Sequence, residues 1–115
     1  MTRGEVWWAD LAPRSGAEQH VRRPVIVMSH DAFNRVTSWR SVIIVPLSTS
    51  ATQARRGPTA VPLAAGVANL PLPSVALCHQ VTTLDRSKLV ERLGHLPADD
   101  LRALEEGLKV AVDLH

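Results

Sequence analysis

The chain has 115 residues, is 45% hydrophobic and 21% charged, and carries a formal net charge of +2. That length predicts one globular domain, 1–115, with a core of its own, and no apolar stretch approaches the ~20 residues that span a membrane. The single cysteine, Cys78, excludes an internal disulfide framework and fits a reducing cytoplasm.

Arg3, Glu5 and Asp10 interrupt any signal-like apolar run at the N-terminus. Within that stretch Val6-Trp7-Trp8 favours a strand, with Val6 and Trp8 on one face and Trp7 and Ala9 on the other. Bulk on both faces points to a strand covered on both sides. Core or interface packing is the first use for a tryptophan there, and stacking on a base the second. Residues 12–22 form a polar loop punctuated by Pro13 and Gly16 and carrying Arg14, Glu18, Gln19 and His20. That density of functional groups between two strands reads equally as a binding loop or a solvated turn.

Arg22-Arg23-Pro24 then opens the apolar run Val25-Ile26-Val27-Met28, and Val42-Ile43-Ile44-Val45-Pro46-Leu47 ends in the hydroxyls of Ser48, Thr49 and Ser50. Short continuous runs rich in β-branched residues predict buried strands. Pro24 suits a strand's first position, having no N–H to give to a ladder. Paired antiparallel, the two strands bring Arg23 and Ser48 to one rim of a sheet, where a guanidinium beside a hydroxyl suits a phosphate. Between them, Asp31 is expected to cap a short helical turn.

Residues 49–60 predict a long basic loop, 59–63 an edge strand flanked by prolines, and 64–73 a connection. Ser74 to Thr83 reads as a third strand broken by His79 and Gln80. Residues 85–88 predict a turn, and Leu89 to Leu96 a returning strand weakened by Gly94. The end predicts an amphipathic helix. Pro97 suits its start, Asp99 and Asp100 complement its dipole, and Leu101, Leu104, Leu108 and Ala111 share one face.

Charge is uneven. Residues 1–60 hold eight arginines against four acids, and residues 61–115 five bases against seven acids. The predicted rim therefore belongs to the basic half, although solvated loops explain such a bias as well as an anion-binding face does. No metal-binding pattern, phosphate loop or nucleophile elbow is present, so neither a metal nor a cofactor is expected. Cys78 sits in an apolar run and reads as a small core residue before a nucleophile. An arginine, hydroxyls and a polar loop on a mainly β scaffold suit phosphodiesters, and composition does not separate binding RNA from cutting it.

The segments RGEVWWADL, GAEQHVRRPVIVMSHDAFNR, VIIVPLSTS and SVALCHQVTTLDRSKL, followed by the terminal helix, run through nearly the whole chain in family-like order and spacing. On these the chain resembles the MazF/PemK (Kid) family of toxin endoribonucleases from bacterial toxin–antitoxin operons. The resemblance implies an SH3-like barrel or twisted antiparallel sheet with short helices and a C-terminal helix, usually as a homodimer. It implies cleavage of single-stranded RNA at short sequence motifs without metal, leaving a cyclic phosphate and a 5′-hydroxyl. It also implies a cognate antitoxin, small, acidic and partly disordered.

The family's catalytic arginine falls on Arg23, with Arg22 its neighbour, and its catalytic threonine on Ser48, where the hydroxyl is kept; Thr49 next door is the other candidate. Glu18 and Gln19 resemble substrate contacts, and His30 and Gln80 fall where relatives also meet RNA. Thr82 replaces a basic residue of some relatives. Arginine is a rare free base near neutrality, so Glu18 or a histidine (His20, His30 or His79) is chemically easier as general base or acid. The alternatives are a gyrase-poisoning toxin of the same fold, like CcdB, and an inactive RNA-binding paralogue. CcdB-like toxins engage their target with an aromatic in the C-terminal helix, whereas this chain has no aromatic after Trp39. A peptide-binding SH3-like module is disfavoured by the absence of tyrosine.

Overall fold

The computed structural model describes residues 1–11, 21–55 and 57–114. Along them run β1 (Glu5–Leu11), β2 (Val21–Val27), α1 (Asp31–Asn34), β3 (Ser41–Ser48), β4 (Ala60–Leu63), β5 (Ser74–Leu77), β6 (Thr82–Asp85), β7 (Leu89–His95) and α2 (Ala98–Ala111). Every strand pairing is antiparallel. The sheet order is β4-β5-β3-β2-β1-β7, with β6 also paired to β3. The expected antiparallel sheet with a C-terminal helix is what the chain forms. Among the described residues no helix is long and apolar enough to cross a membrane.

The unbroken apolar runs have a direct cause, since both faces of the central strands are covered. Val6, Ile26, Val45 and Leu47 enter the larger cluster, which Leu104 of α2 closes. Ala9, Val25, Val27, Val42 and Ile44 enter a second cluster on the opposite face. Alternation thus splits Val25 from Ile26 and Ile44 from Val45, as a pleated strand requires. On α2, Leu104 is fully buried, and Leu101, Leu108 and Ala111 pack around it. Pro97 occupies the N-cap, with Asp99 and Asp100 in the first turn.

Two details differ from the sequence reading. The stretch 74–83 is two strands. β5 pairs with β3 through Leu47 and Ser48, and β6 pairs with β3 through Ser41 to Ile44. Between them Cys78–Gln80 forms a 3-10 turn that drops Cys78 into the core under α2. Pro46 lies in the gap between the two pairings, where its missing N–H disturbs neither. Likewise, α1 is capped by His30, whose Nδ1 accepts from Ala32 N at 2.9 Å. Asp31 is engaged elsewhere, accepting from Arg3 N at 2.7 Å and from Asn34 Nδ2 at 3.0 Å.

Gly94 stays in β7 because the chain passes close to it. A Cβ there would lie 2.8 Å from the Ala68 carbonyl oxygen. Gly107 does the same for α2, since its Cβ would meet Cys78 Sγ at 2.8 Å and Val61 Cγ2 at 3.1 Å. Gly107→Ala is therefore expected to destabilise the protein by about 1–3 kcal/mol through overpacking. In a Cys78→Ala background the same change should cost less, so a denaturant double-mutant cycle should show coupling between the two sites.

Asp31 is held below the usual carboxylate range by the Arg3 backbone N–H and by Asn34. Asp85 is lowered by the Ser87 hydroxyl and N–H and by Arg40. Burial pushes the Glu5 carboxyl up, but hydrogen bonds from Trp7 and Thr2, with Arg92 nearby, outweigh it and leave Glu5 lowered. Carboxyls lowered by folding bind protons first in the unfolded chain. Their stabilisation is complete above the unfolded value of about 4 and drains away as pH falls below it. Melting temperature should therefore fall steadily from about pH 5 downward. Asp31→Asn should lower it at pH 7 and flatten the acid limb.

Candidate active site at the rim of the sheet

The β2–β3 register pairs Val25 with Pro46 and Ile26 with Val45. Carried two residues further, it brings Arg23 abreast of Ser48, on the rim where both strands end. There the structure opens a cleft of about 460 Å³, lined by residues that include Arg22, Arg23, Ser48, Thr49 and Trp8. Alternation alone would put Arg22 with Trp8 and Arg23 with Ser48 on opposite faces. The cleft collects both pairs because it lies across the end of the sheet.

Arg22 and Arg23 are exposed, and although their backbones pair with β1, the side chain of neither makes a hydrogen bond or ion pair with a described residue. Both guanidinium groups are thus available to an anion. Ser48 is half-buried, and its Oγ accepts the Ser50 backbone N–H at 3.0 Å. That bond fixes the oxygen and leaves the hydroxyl proton to donate. Thr49 and Ser50 are exposed beside it. The rest of the lining is largely apolar, with Trp8, Val21, Pro24 and Leu47 from the strands and Pro71 and Leu72 from the connection before β5. Ser74 Oγ donates to the Leu72 carbonyl at 2.9 Å and ties that connection to β5. Arginines are the only ionisable side chains among the described residues of this lining.

Of the residues singled out from sequence, Arg22, Arg23, Ser48 and Thr49 therefore converge. Glu18, Gln19 and His20 lie outside the described residues. His30 stands beyond the far end of β2, where it caps α1 and meets Phe33 edge-on at 6.4 Å. Gln80 and His79 are exposed in the turn between β5 and β6. None of these three lines the cleft. Sequence reasoning passed over Pro71, Leu72 and Ser74 as cleft residues, because nothing in a proline-rich connection announces what it will face. Trp8 carried a signal, its bulk on one strand face, but packing was the first explanation for that.

Cys78 is fully buried, its Sγ donates to the Leu104 carbonyl at 3.7 Å, and burial pushes the thiol up to about 11. It is a core residue, away from the cleft.

These features define a small antiparallel-sheet protein with an open cleft at the strand ends, lined by two exposed arginines and a cluster of hydroxyls. The chain belongs to the PemK-like, MazF-like toxins of type II toxin–antitoxin systems, whose family profile matches residues 2–112. Endoribonuclease MazF6 of Mycobacterium tuberculosis is 35% identical over 114 residues, covering 99% of this chain and 98% of the relative. A solved MazE–MazF complex from Deinococcus radiodurans is 29% identical, with a TM-score of 0.80 over 100% of this chain and 97% of that one. A mycobacterial endoribonuclease solved with its cognate antitoxin shares the fold, with a TM-score of 0.81 over 100% of this chain and 97% of that one, at 24% identity.

With its thiol neutral and enclosed, Cys78 should react with a disulfide reagent at pH 8 only as fast as the protein opens, and at once in denaturant. Rapid labelling of the folded protein would contradict its placement.

Proposed function

We propose that the chain is a toxin endoribonuclease that cuts single-stranded RNA in the rim cleft, using Arg23 and Ser48. The observation that carries this reading is the convergence of a guanidinium with no partner among the described residues and a half-buried, oriented hydroxyl in one open cleft.

In this chemistry the substrate's 2′-oxygen attacks the adjacent phosphorus, and the bond to the 5′-oxygen breaks. The products are a 2′,3′-cyclic phosphate and a 5′-hydroxyl. Negative charge builds on the non-bridging oxygens as the phosphorane forms. Arg23 supplies charged donors to those oxygens, and Ser48 adds one more through its O–H. Ser48 Oγ is already held by the Ser50 N–H, so this donor needs little reorganisation as charge develops. A guanidinium stays protonated near neutrality. Proton transfer therefore falls to Glu18 or a histidine such as His20, three and one residues before Val21 in sequence. These donors need no metal ion.

Arg22, Gln19 and His20 are assigned to RNA binding around the cut. His30 and Gln80 contact nucleotides beyond it. The working form is a cytoplasmic homodimer, held inactive by a small, acidic, partly disordered antitoxin that covers the basic cleft.

Purified protein incubated with a long RNA in EDTA should cleave it at defined sites, and end mapping should find 5′-hydroxyls. Arg23→Ala should lose about 10²-fold or more in rate while keeping the wild-type melt. Ser48→Ala should lose far more activity than Thr49→Ala. Full activity of folded Arg23→Ala would remove the reading, and the reverse order of the two hydroxyl variants would move that role to Thr49.

A further inference from the structure

Two tryptophans are adjacent in β1, and the fold uses them differently. Trp7 donates its indole N–H to Glu5 Oε1 at 2.9 Å and packs against the smaller core cluster. Trp8 turns to the other face, between Pro24 of β2 and Glu91 of β7. It is half-buried and belongs to neither of those two core clusters. Its indole N–H has no partner among the described residues. What Trp8 does is line the rim cleft, together with Pro24, Pro71 and Leu72, beside Arg23 and Ser48.

An indole among apolar lining residues, within the same cleft as two guanidinium groups that have no partner among the described residues, matches the two halves of a nucleotide. We infer that Trp8 is the base-stacking wall of the cleft, taking a nucleobase that flanks the scissile phosphate while Arg23 holds the phosphate itself. The inference rests on the nuclease reading above and adds a specificity-determining residue to it. Stacking on an indole accepts any base, since every base has a π face. The free N–H adds a donor for an acceptor on the base edge, which favours bases presenting one. A cleft of about 460 Å³ falls in the range of small-ligand sites.

The test uses the full chain and a short RNA carrying one mapped cleavage site. Two further substrates each replace one base flanking the cut by an abasic ribonucleotide that keeps its 2′-hydroxyl. Trp8→Leu keeps apolar bulk but removes the aromatic face, and Trp8→Phe keeps the face. Trp8→Leu should lower kcat/KM roughly tenfold, mostly through KM, with Trp8→Phe close to wild type. One abasic substrate should cost the wild type a similar factor and cost Trp8→Leu almost nothing more. Wild-type kinetics for Trp8→Leu, or equal abasic losses in wild type and Trp8→Leu on both substrates, would overturn the stacking role. Neither outcome touches the nuclease reading, which stands or falls with cleavage by the wild type and its loss in Arg23→Ala.

Discussion

The antiparallel register between β2 and β3 is the constraint on which the rest of the structure depends. It sets Ile26 beside Val45 and Val27 beside Ile44, and each member of a pair enters the same cluster. A slip by one residue would turn each strand's core set to the wrong face, so the register is strongly specified on both sides of the sheet. The same register, continued past the last paired residues, carries Arg23 and Ser48 to the rim together. Core packing and site geometry are therefore one decision, made by the apolar runs.

The cleft occupies the place where that ladder ends. Inside the sheet, backbone groups are paired and side chains are committed to one cluster or the other. At the rim Arg22 and Arg23 are exposed, and among the described residues the Ser48 side chain is held through its acceptor lone pair. Pro71 and Leu72 join the lining from the connection before β5, which the Ser74–Leu72 hydrogen bond fastens. Helix α2 packs on the larger cluster, closed over Cys78 and Val61 by the absent side chain of Gly107, and contributes nothing to the cleft lining. Scaffold and chemistry are separated along the strands, which lets the rim carry exposed cations without disturbing the core.

Family membership sharpens this picture without replacing it. Relatives aligned over nearly the full length are endoribonucleases, and related folds have been solved with MazE or with a cognate antitoxin. A basic, open cleft at strand ends is a surface that an acidic chain and an RNA backbone would both seek, and for the same electrostatic reason.

Much of the fold was legible in the sequence because periodicity reports burial. The runs 25–28 and 42–47 announced strands covered on both faces, and Leu101, Leu104 and Leu108 announced the face of the final helix. That Arg23 and Ser48 come to one rim was legible too, since adjacent strands paired antiparallel fix which ends meet. What the sequence did not determine was set by contacts between distant residues. The split of 74–83 depends on where β5 and β6 meet β3, and the choice of His30 over Asp31 as cap depends on Arg3 drawing Asp31 away. Whether Trp8 packs or faces a cleft was decided by where Pro71 and Leu72 come to rest. Local pattern encodes which face a residue takes, because that follows from backbone geometry alone; what stands opposite that face is settled only when the chain closes on itself.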